Sequence, residues 1–589
     1  MNEAKHLSSQ SVDRRNFVLG VTSAGVLTLS SGWPQPGYPD TSTVAELRGR
    51  EFDLEIRPQT VNLTGRARLA TTINGGLPGP TLRWREGDEV TMRVTNRLAE
   101  PTSIHWHGIL VPSQMDGVPG LSFDGIAPGA TFVYRFRVRQ SGTYWYHSHS
   151  HFQEQTGLYG ALVIEPRESD PIGFDREHVL LLSDWTDEDP MRLFARLKKE
   201  SHYYNYDRRT LADIRDGIRA RGFAQNRRDR RMWNQMRMTD RDISDVTGAT
   251  YTYLMNGQTP VANWTALFSR GERVRLRVIN GSAMTIFDVR IPGLEMTVVA
   301  ADGQNVEPVT VSEFRIGVAE TYDVIVRPSA DSAYTIFAQS IDRSGFARGT
   351  LTPMPGLAAD VPSLDPPPRL TMADMGMAMN MAMPMANASA TAAAQSDAHD
   401  MHGSMDHGGA TMPATETDHR GVRAAVDMRA ENPEPRYDDP GVGLRGRSWR
   451  VLTYGDLQSL HSLPGRADAE REIDLHLTGN MMRYMWSMDG VRYSDADPVR
   501  LKLGETVRFV LTNDTMMNHP IHLHGLWSDV QTSASGQTAR MHTVIVQPGQ
   551  KVEYDVTADA PGPWAYHCHL LYHMAAGMFR TVYVSEEGV

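Results

Sequence analysis

Three stretches of the chain share one pattern of apolar and polar positions. Gly87-Asp88-Glu89-Val90-Thr91-Met92-Arg93-Val94-Thr95-Asn96, Gly271-Glu272-Arg273-Val274-Arg275-Leu276-Arg277-Val278-Ile279-Asn280 and Gly504-Glu505-Thr506-Val507-Arg508-Phe509-Val510-Leu511-Thr512-Asn513 run from glycine to asparagine at the same spacing. Between those ends apolar residues, valine foremost, partly alternate with polar ones, which reads as a strand entered from a turn glycine. Three copies predict three related β domains. The gap between the second and third copies exceeds the first gap by nearly the length of one unusual segment, from about Met372 to Arg420. That segment carries Met372, Met375, Met377, Met379, Met381, Met383 and Met385, an alanine tract, and then His399, Met401, His402, Met405, His407, Met412 and His419. With Gly, Ala and Ser and almost no large aliphatic residue besides Met, it cannot bury a core and reads as a disordered Met/His-rich insertion.

The expected architecture is all-β. A first sandwich covers residues 45–170, a second 175–350, a flexible Met/His-rich linker 355–425 and a third sandwich 426–589. Residues 193–245, rich in Arg and Asp with weak helical character, read as a solvated excursion from the second domain. The length of 589 residues suits three or four domains of about 150 residues each.

Residues 1–40 read as a leader. Ser11-Val12-Asp13-Arg14-Arg15-Asn16-Phe17 precedes a weakly apolar run from Val18 to about Leu29, which resembles a twin-arginine export signal and is too short to span a bilayer. The implied location is the periplasm, and no other segment has the length and apolarity of a membrane span. A formal charge of -11 argues against a nucleic-acid partner.

The chemistry enters through histidines. At the same distance past the repeat asparagine, the first copy gives His105-Trp106-His107-Gly108 and the third gives His522-Leu523-His524-Gly525, whereas the second gives Val289-Arg290-Ile291. Pro128-Gly129 precedes His147-Ser148-His149 by the same distance as Pro548-Gly549 precedes His567-Cys568-His569. Strand side chains alternate faces, so each His-x-His pair converges on one side. The eight imidazoles are His105, His107, His147, His149, His522, His524, His567 and His569. Cys568, the single cysteine, must then point to the opposite side, with His519 also facing away and His573 and Met578 following in a turn. Thiolate, imidazole and a weak thioether are the donors of a blue copper site; zinc, the usual rival for imidazole clusters, has no need of four such pairs. Copper is the expected cofactor, and no disulfide is possible.

In that order, His-x-His-Gly, His-x-His, His-x-x-His-x-His and His-Cys-His-x-x-x-His-x-x-x-x-Met resemble the multicopper oxidases over nearly the whole chain. Met115-Asp116-Gly117-Val118-Pro119-Gly120, Phe152-Gln153-Glu154-Gln155 and Asn480-Met481-Met482-Arg483-Tyr484-Met485-Trp486 are similar to the bacterial copper-resistance protein A group. The resemblance implies three cupredoxin-like Greek-key β-sandwich domains and four copper ions. A type 1 ion would lie at His519, Cys568, His573 and Met578, a type 2 ion at His105 and His522, and a type 3 pair at His107, His147, His149, His524, His567 and His569. It also implies one-electron oxidation at the thiolate site and reduction of O2 to water at the cluster.

Water formation consumes protons, and Asp116 stands at the family's acidic position; its plainer reading is an Asp-Gly turn residue. The family's second acid, just after the last type 1 histidine, is missing from Met574-Ala575-Ala576. His151 is left without a ligand role. Asp514, Met516 and Met517, just before His519, are expected where electrons are accepted. Thioethers prefer Cu(I), so the Met/His-rich run points to Cu(I) as substrate, oxidised to Cu(II) in copper resistance, with copper-delivery proteins as possible partners. A laccase-like oxidase of phenols or another small reductant, and a non-catalytic periplasmic copper store, are the alternatives.

Overall fold

The computed structural model describes residues 44–236, 238–377, 426–460 and 468–587. The expectations for the leader and for the Met/His-rich run beyond Met377 lie outside the described residues. Six sheets fall along the chain as three pairs. In the first pair, Glu46–Arg48, Thr81–Arg85, Tyr159–Glu165, Gly142–His147 and His105–His107 form one sheet in that order, and Arg68–Ile73, Glu51–Val61, Glu89–Asn96 and Thr131–Arg137 form the other. The later pairs each combine a six-stranded and a five-stranded sheet. The chain is thus a row of cupredoxin-like β-sandwiches.

The repeated motif occupies one structural position three times. Glu89–Asn96, Val274–Asn280 and Thr506–Asn513 each lie between a parallel neighbour (Glu51–Val61, Arg176–Thr186, Arg471–Asn480) and an antiparallel one (Thr131–Arg137, Thr321–Val326, Lys551–Thr557). The preceding glycines have φ of +89°, +85° and +89°. A Cβ at Gly271 or Gly504 would meet nothing within 4 Å, so the left-handed backbone, and not lack of space, selects glycine.

The terminal asparagines are wholly buried corners. Asn96 Nδ2 donates to the Glu100 and Ile126 carbonyls, Asn280 Nδ2 to Thr285 and Ile316, and Asn513 Nδ2 to Met517 and Val546. Each Oδ1 accepts the N–H two residues on, at Leu98, Ser282 and Thr515. Each asparagine carbonyl also takes one further N–H, from Gly129, Ala319 and Gly549. Ala319 holds φ +73° where the other two copies place glycine, so the second domain keeps the turn without its Pro-Gly signature.

Partial alternation gives way to full burial in Val274–Asn280. Arg275 and Arg277 meet Asp323 at 2.6 and 3.0 Å, and the Asp323 carboxylate accepts from Thr143 of the first sandwich at 2.7 Å. A buried ionic seam of this kind fixes orientation more than it stabilises. The charged excursion folds as Pro190–Lys199, Leu211–Arg221 and Phe223–Gln235, with Leu193, Leu197 and Trp233 buried. Met372 and Met375, expected in the insertion, are also buried and join the core, as an unbranched thioether side chain fills irregular gaps.

Replacing Asn280 by alanine removes three buried hydrogen bonds. The expected cost is roughly 2–4 kcal/mol, at about 1 kcal/mol for each bond plus the groups left unpaired. It is read as a lower denaturation midpoint by tryptophan fluorescence; an unshifted midpoint contradicts the corner's role.

Candidate metal centre

Three elements of the last sandwich build a small donor set. His519 begins the strand His519–Leu523, Cys568 ends Gly562–Cys568, and His573 lies in the short helix Leu571–Ala575. Cys568 Sγ is 3.5 Å from His519 Nδ1 and 3.9 Å from His573 Nδ1, and the two nitrogens are 3.2 Å apart. Met578 is buried beside them, its carbonyl accepting the Cys568 N–H at 3.1 Å.

The outer nitrogens set the tautomers. Thr515 Oγ1 donates to Asn513 Oδ1 at 2.8 Å and so accepts from His519 Nε2 at 2.7 Å. His573 Nε2 donates to Asp245 Oδ2 at 2.7 Å. Both Nδ1 lone pairs therefore face the sulfur. Trp486 stacks on His573 at 3.9 Å. Burial holds both imidazoles well below their usual range and pushes the Cys568 thiol up, so the thiolate needs a bound cation to exist here.

The eight other histidines meet where the first and third sandwiches face each other. His105 pairs with His147 across one sheet and His522 with His567 across the other. Rings from opposite sandwiches come as close as 3.9 Å (His105–His524) and 3.8 Å (His107–His522). His567 Nε2 lies 3.3 Å from His149 Nε2 and 3.0 Å from His524 Nε2. Desolvation, with mutual repulsion of any protonated forms, holds His107, His147, His149, His522, His524 and His569 well below the usual imidazole range and His567 down to about 4.

The hydrogen-bond pattern fits a metal. Buried and without a partner among the described residues are His105 Nε2, His107 Nδ1, His147 Nε2, His522 Nε2 and both nitrogens of His569. The opposite nitrogens are held: His105 Nδ1 by the Asp116 carbonyl at 2.8 Å, His147 Nδ1 by Glu154 Oε2 at 2.7 Å and His522 Nδ1 by the His542 carbonyl. Fixed outer donors and orphaned inner lone pairs are what a metal-ligating imidazole requires. Triads drawn from these residues, and the triad His519, Cys568 and His573, have donor atoms within 4.8 Å of one another.

Asp116 joins the two sandwiches. Its carbonyl holds His105, and its carboxylate accepts His524 Nδ1 at 2.8 Å. The turn reading also holds: the Asp116 N–H donates to the Ser113 carbonyl at 3.0 Å, and Gly117 follows at φ +84°. His151 is exposed, at φ +50°. Asp514 is buried and engaged by Arg429 at 2.7 Å, His476 at 2.8 Å and the Ala430 N–H at 2.8 Å. Thr515, not Asp514, is the residue of that loop which reaches His519; Met516 and Met517 are buried.

Besides Thr515, three site residues lie beyond the sequence reading. Glu154 sits in the Phe152–Gln155 run, whose wording was its only signal. Asp245 closes the charged excursion, far from His573 in sequence. His542, a lone histidine without His-x-His spacing, stands 3.2 Å from His107 Nε2 on the side away from the orphaned Nδ1.

A row of β-sandwiches with an imidazole cage and a separate thiolate set defines a class of copper-using oxidases. The multicopper oxidase family model matches residues 55–169, 224–353 and 466–588, and the chain belongs to that family. It is 56% identical to "Copper resistance protein A homolog" of Pseudomonas syringae pv. tomato, over 97% of this chain and 99% of that one. It is 54% identical to "Copper resistance protein A" of Escherichia coli, again over 97% and 99%. The crystal structure of Fet3p, a multicopper oxidase that functions in iron import, shares the fold with a TM-score of 0.62 at 19% identity, over 91% of this chain and 90% of that one. The protein is therefore an oxidase that uses copper, with O2 as acceptor and a reducing substrate as donor.

Glu154→Ala leaves His147 Nδ1 only the Ser148 carbonyl, at 3.0 Å, and is expected to weaken copper retention by the cage roughly 10–100-fold in chelator competition, while the thiolate absorption persists. Unaltered retention contradicts the assignment of Glu154.

Proposed function

We propose that the chain couples oxidation of Cu(I) to Cu(II) with four-electron reduction of O2 to water, in the periplasm, as part of copper resistance. One observation carries the reading: Cys568 Sγ lies with His519 and His573, while its neighbours His567 and His569 belong to the imidazole cage. Residues 567–569 thus provide a covalent bridge between a place that accepts electrons and a place that can hold oxygen.

In this reading His519, Cys568, His573 and Met578 hold a type 1 ion, His105 and His522 a type 2 ion, and the remaining six cage histidines a type 3 pair. Copper bound there supplies one-electron redox steps at the thiolate set and oxygen reduction at the cage. The chain's own contribution is positional. Asp245 and Thr515 orient the two type 1 imidazoles, Asp116 ties His105 to His524 across the two sandwiches, and Glu154 holds His147. Burial keeps bulk water from the thiolate set and from every cage imidazole but the half-buried His149. Asp514, locked by Arg429 and His476, holds the loop that carries Thr515 and His519; Met517 packs within it.

Support for Cu(I) as substrate comes from the relatives named for copper resistance and from the thioethers of the sequence run from Met379 to Met412. Export rests on the twin-arginine-like leader. Copper-delivery proteins are natural suppliers of such a substrate.

Cys568→Ser is expected to abolish the blue absorption and O2 uptake while most cage copper remains, as read by visible and EPR spectra with copper counting. Blue colour or turnover surviving the substitution contradicts the type 1 assignment. Removing residues 378–425 is expected to lower kcat/KM for Cu(I) about tenfold or more, a barrier change of ~1.4 kcal/mol or above, and to spare phenol oxidation. Equal losses on both substrates favour a laccase-like oxidase.

A further inference from the structure

Each electron passed to oxygen on the way to water needs one proton, and no acid follows His573 in Met574-Ala575-Ala576. On another side of the cage two carboxylates of the second sandwich, Asp302 and Glu320, are wholly buried. Their backbones are neighbours: Asp302 N–H donates to the Thr321 carbonyl at 2.8 Å, and Thr321 N–H donates to Asp302 Oδ1 at 2.9 Å.

Toward the cage, Asp302 Oδ2 accepts the N–H groups of His542 and Thr543 at 3.0 and 2.9 Å, and lies 3.5 Å from His542 Nδ1. Thr543 Oγ1 and His542 Nδ1 stand 3.1 Å apart, and both touch His107 Nε2, at 3.1 and 3.2 Å. Away from the cage, Glu320 Oε2 accepts the Gly317 N–H at 2.6 Å, and Oε1 accepts from Tyr454 Oη at 3.0 Å. Glu320 and Tyr454 line a cavity of about 40 Å³ shared with Arg315, Arg436, Gln547 and Gln550, room for roughly one to three waters.

We propose that Asp302 and Glu320 form a proton-delivery pair, carrying protons from the cavity at Tyr454 to the His107 edge of the oxygen-reducing cage. The role rests on the oxidase reading above. Protons drawn from solvent pass through Glu320 to Asp302 and on to the Thr543–His542 edge. Four solvent protons accompany the four electrons taken from the reductant, and both carboxyl groups return to their starting state after each turnover.

The surroundings suit a proton store. Two buried carboxylates in contact with no lysine or arginine among the described residues cannot both be charged cheaply. Burial first, and for Glu320 also the charge of Asp302, pushes both carboxyls well above the usual carboxylate range. The titratable groups facing them are Tyr144, Tyr322, Tyr454 and His542. Burial raises the tyrosines and holds His542 at about 3, so all four are neutral at pH 7. At the cavity wall Arg315 is paired with Asp288, and Arg436 lies near Asp439.

Glu320→Gln and Asp302→Asn test the pair in the full-length, copper-loaded protein. Both are expected to keep wild-type copper content, blue absorption and KM for the reductant, while kcat falls about tenfold or more. In the wild type kcat declines as the pH rises through the pair's range and the store empties; in the variants that inflection disappears. Infrared spectra of the copper-free protein give a readout independent of turnover: a carboxyl C=O band titrating in the same range, weakened in each variant by the share of the carboxyl it removes. Copper-replete variants with wild-type kcat across the pH range overturn the proposal, as does a wild-type protein without the band. If Asp302→Asn fails to fold, Glu320→Gln and Tyr454→Phe carry the test, the latter expected to slow turnover while leaving the band. A wild-type protein that binds copper but consumes no O2 sinks the oxidase reading, and the delivery role with it, yet leaves the band in place.

Discussion

The two-residue period of one β-strand is the constraint on which the rest depends. At the end of Gly562–Cys568 it sends the sulfur to one side, and the imidazoles of His567 and His569 to the other. A single covalent segment therefore serves two donor sets that are chemically distinct and separately enclosed. Every other feature supports that division. Thr515 and Asp245 turn the Nδ1 lone pairs of His519 and His573 toward the sulfur. Asp116 and Glu154 hold the outer nitrogens of cage imidazoles drawn from both sandwiches.

Such a cage is costly without a cation. Each orphaned buried nitrogen forgoes a hydrogen bond, a penalty of about 1–3 kcal/mol apiece, and the buried thiol resists ionisation. Metal binding offsets both costs, so folding and loading are thermodynamically coupled. The asparagine corners and the Arg275–Asp323–Arg277 seam explain how the scaffold tolerates that strain. They fix the sandwiches independently of the histidines, and the second sandwich, which has no histidine pair, is held by the same corner as the other two.

Much of the fold and of the donor set was legible in the sequence, because the signals are local. A glycine that needs positive φ, an asparagine that closes a corner and a His-x-His pair on one strand face each declare themselves within a few residues. What the sequence left hidden depends on tertiary approach. Asp245 matters only because a helical excursion folds back over His573, and His542 only because Gly108 leaves room for its ring. The partners of Asp514, Arg429 and His476, come to it only by tertiary approach. Ala319 conceals a turn that its two counterparts mark with glycine. Met372 and Met375 have the composition of a linker and the burial of a core.

Anomalous diffraction at the copper absorption edge, on crystals of the fully loaded protein, tests the central claim most directly. The account predicts one peak bounded by His519, Cys568 and His573, and three more among the eight imidazoles between the first and third sandwiches. A fully loaded protein with no density inside the cage, or with the Cys568 sulfur bound to a metal that His567 and His569 also ligate, would contradict it.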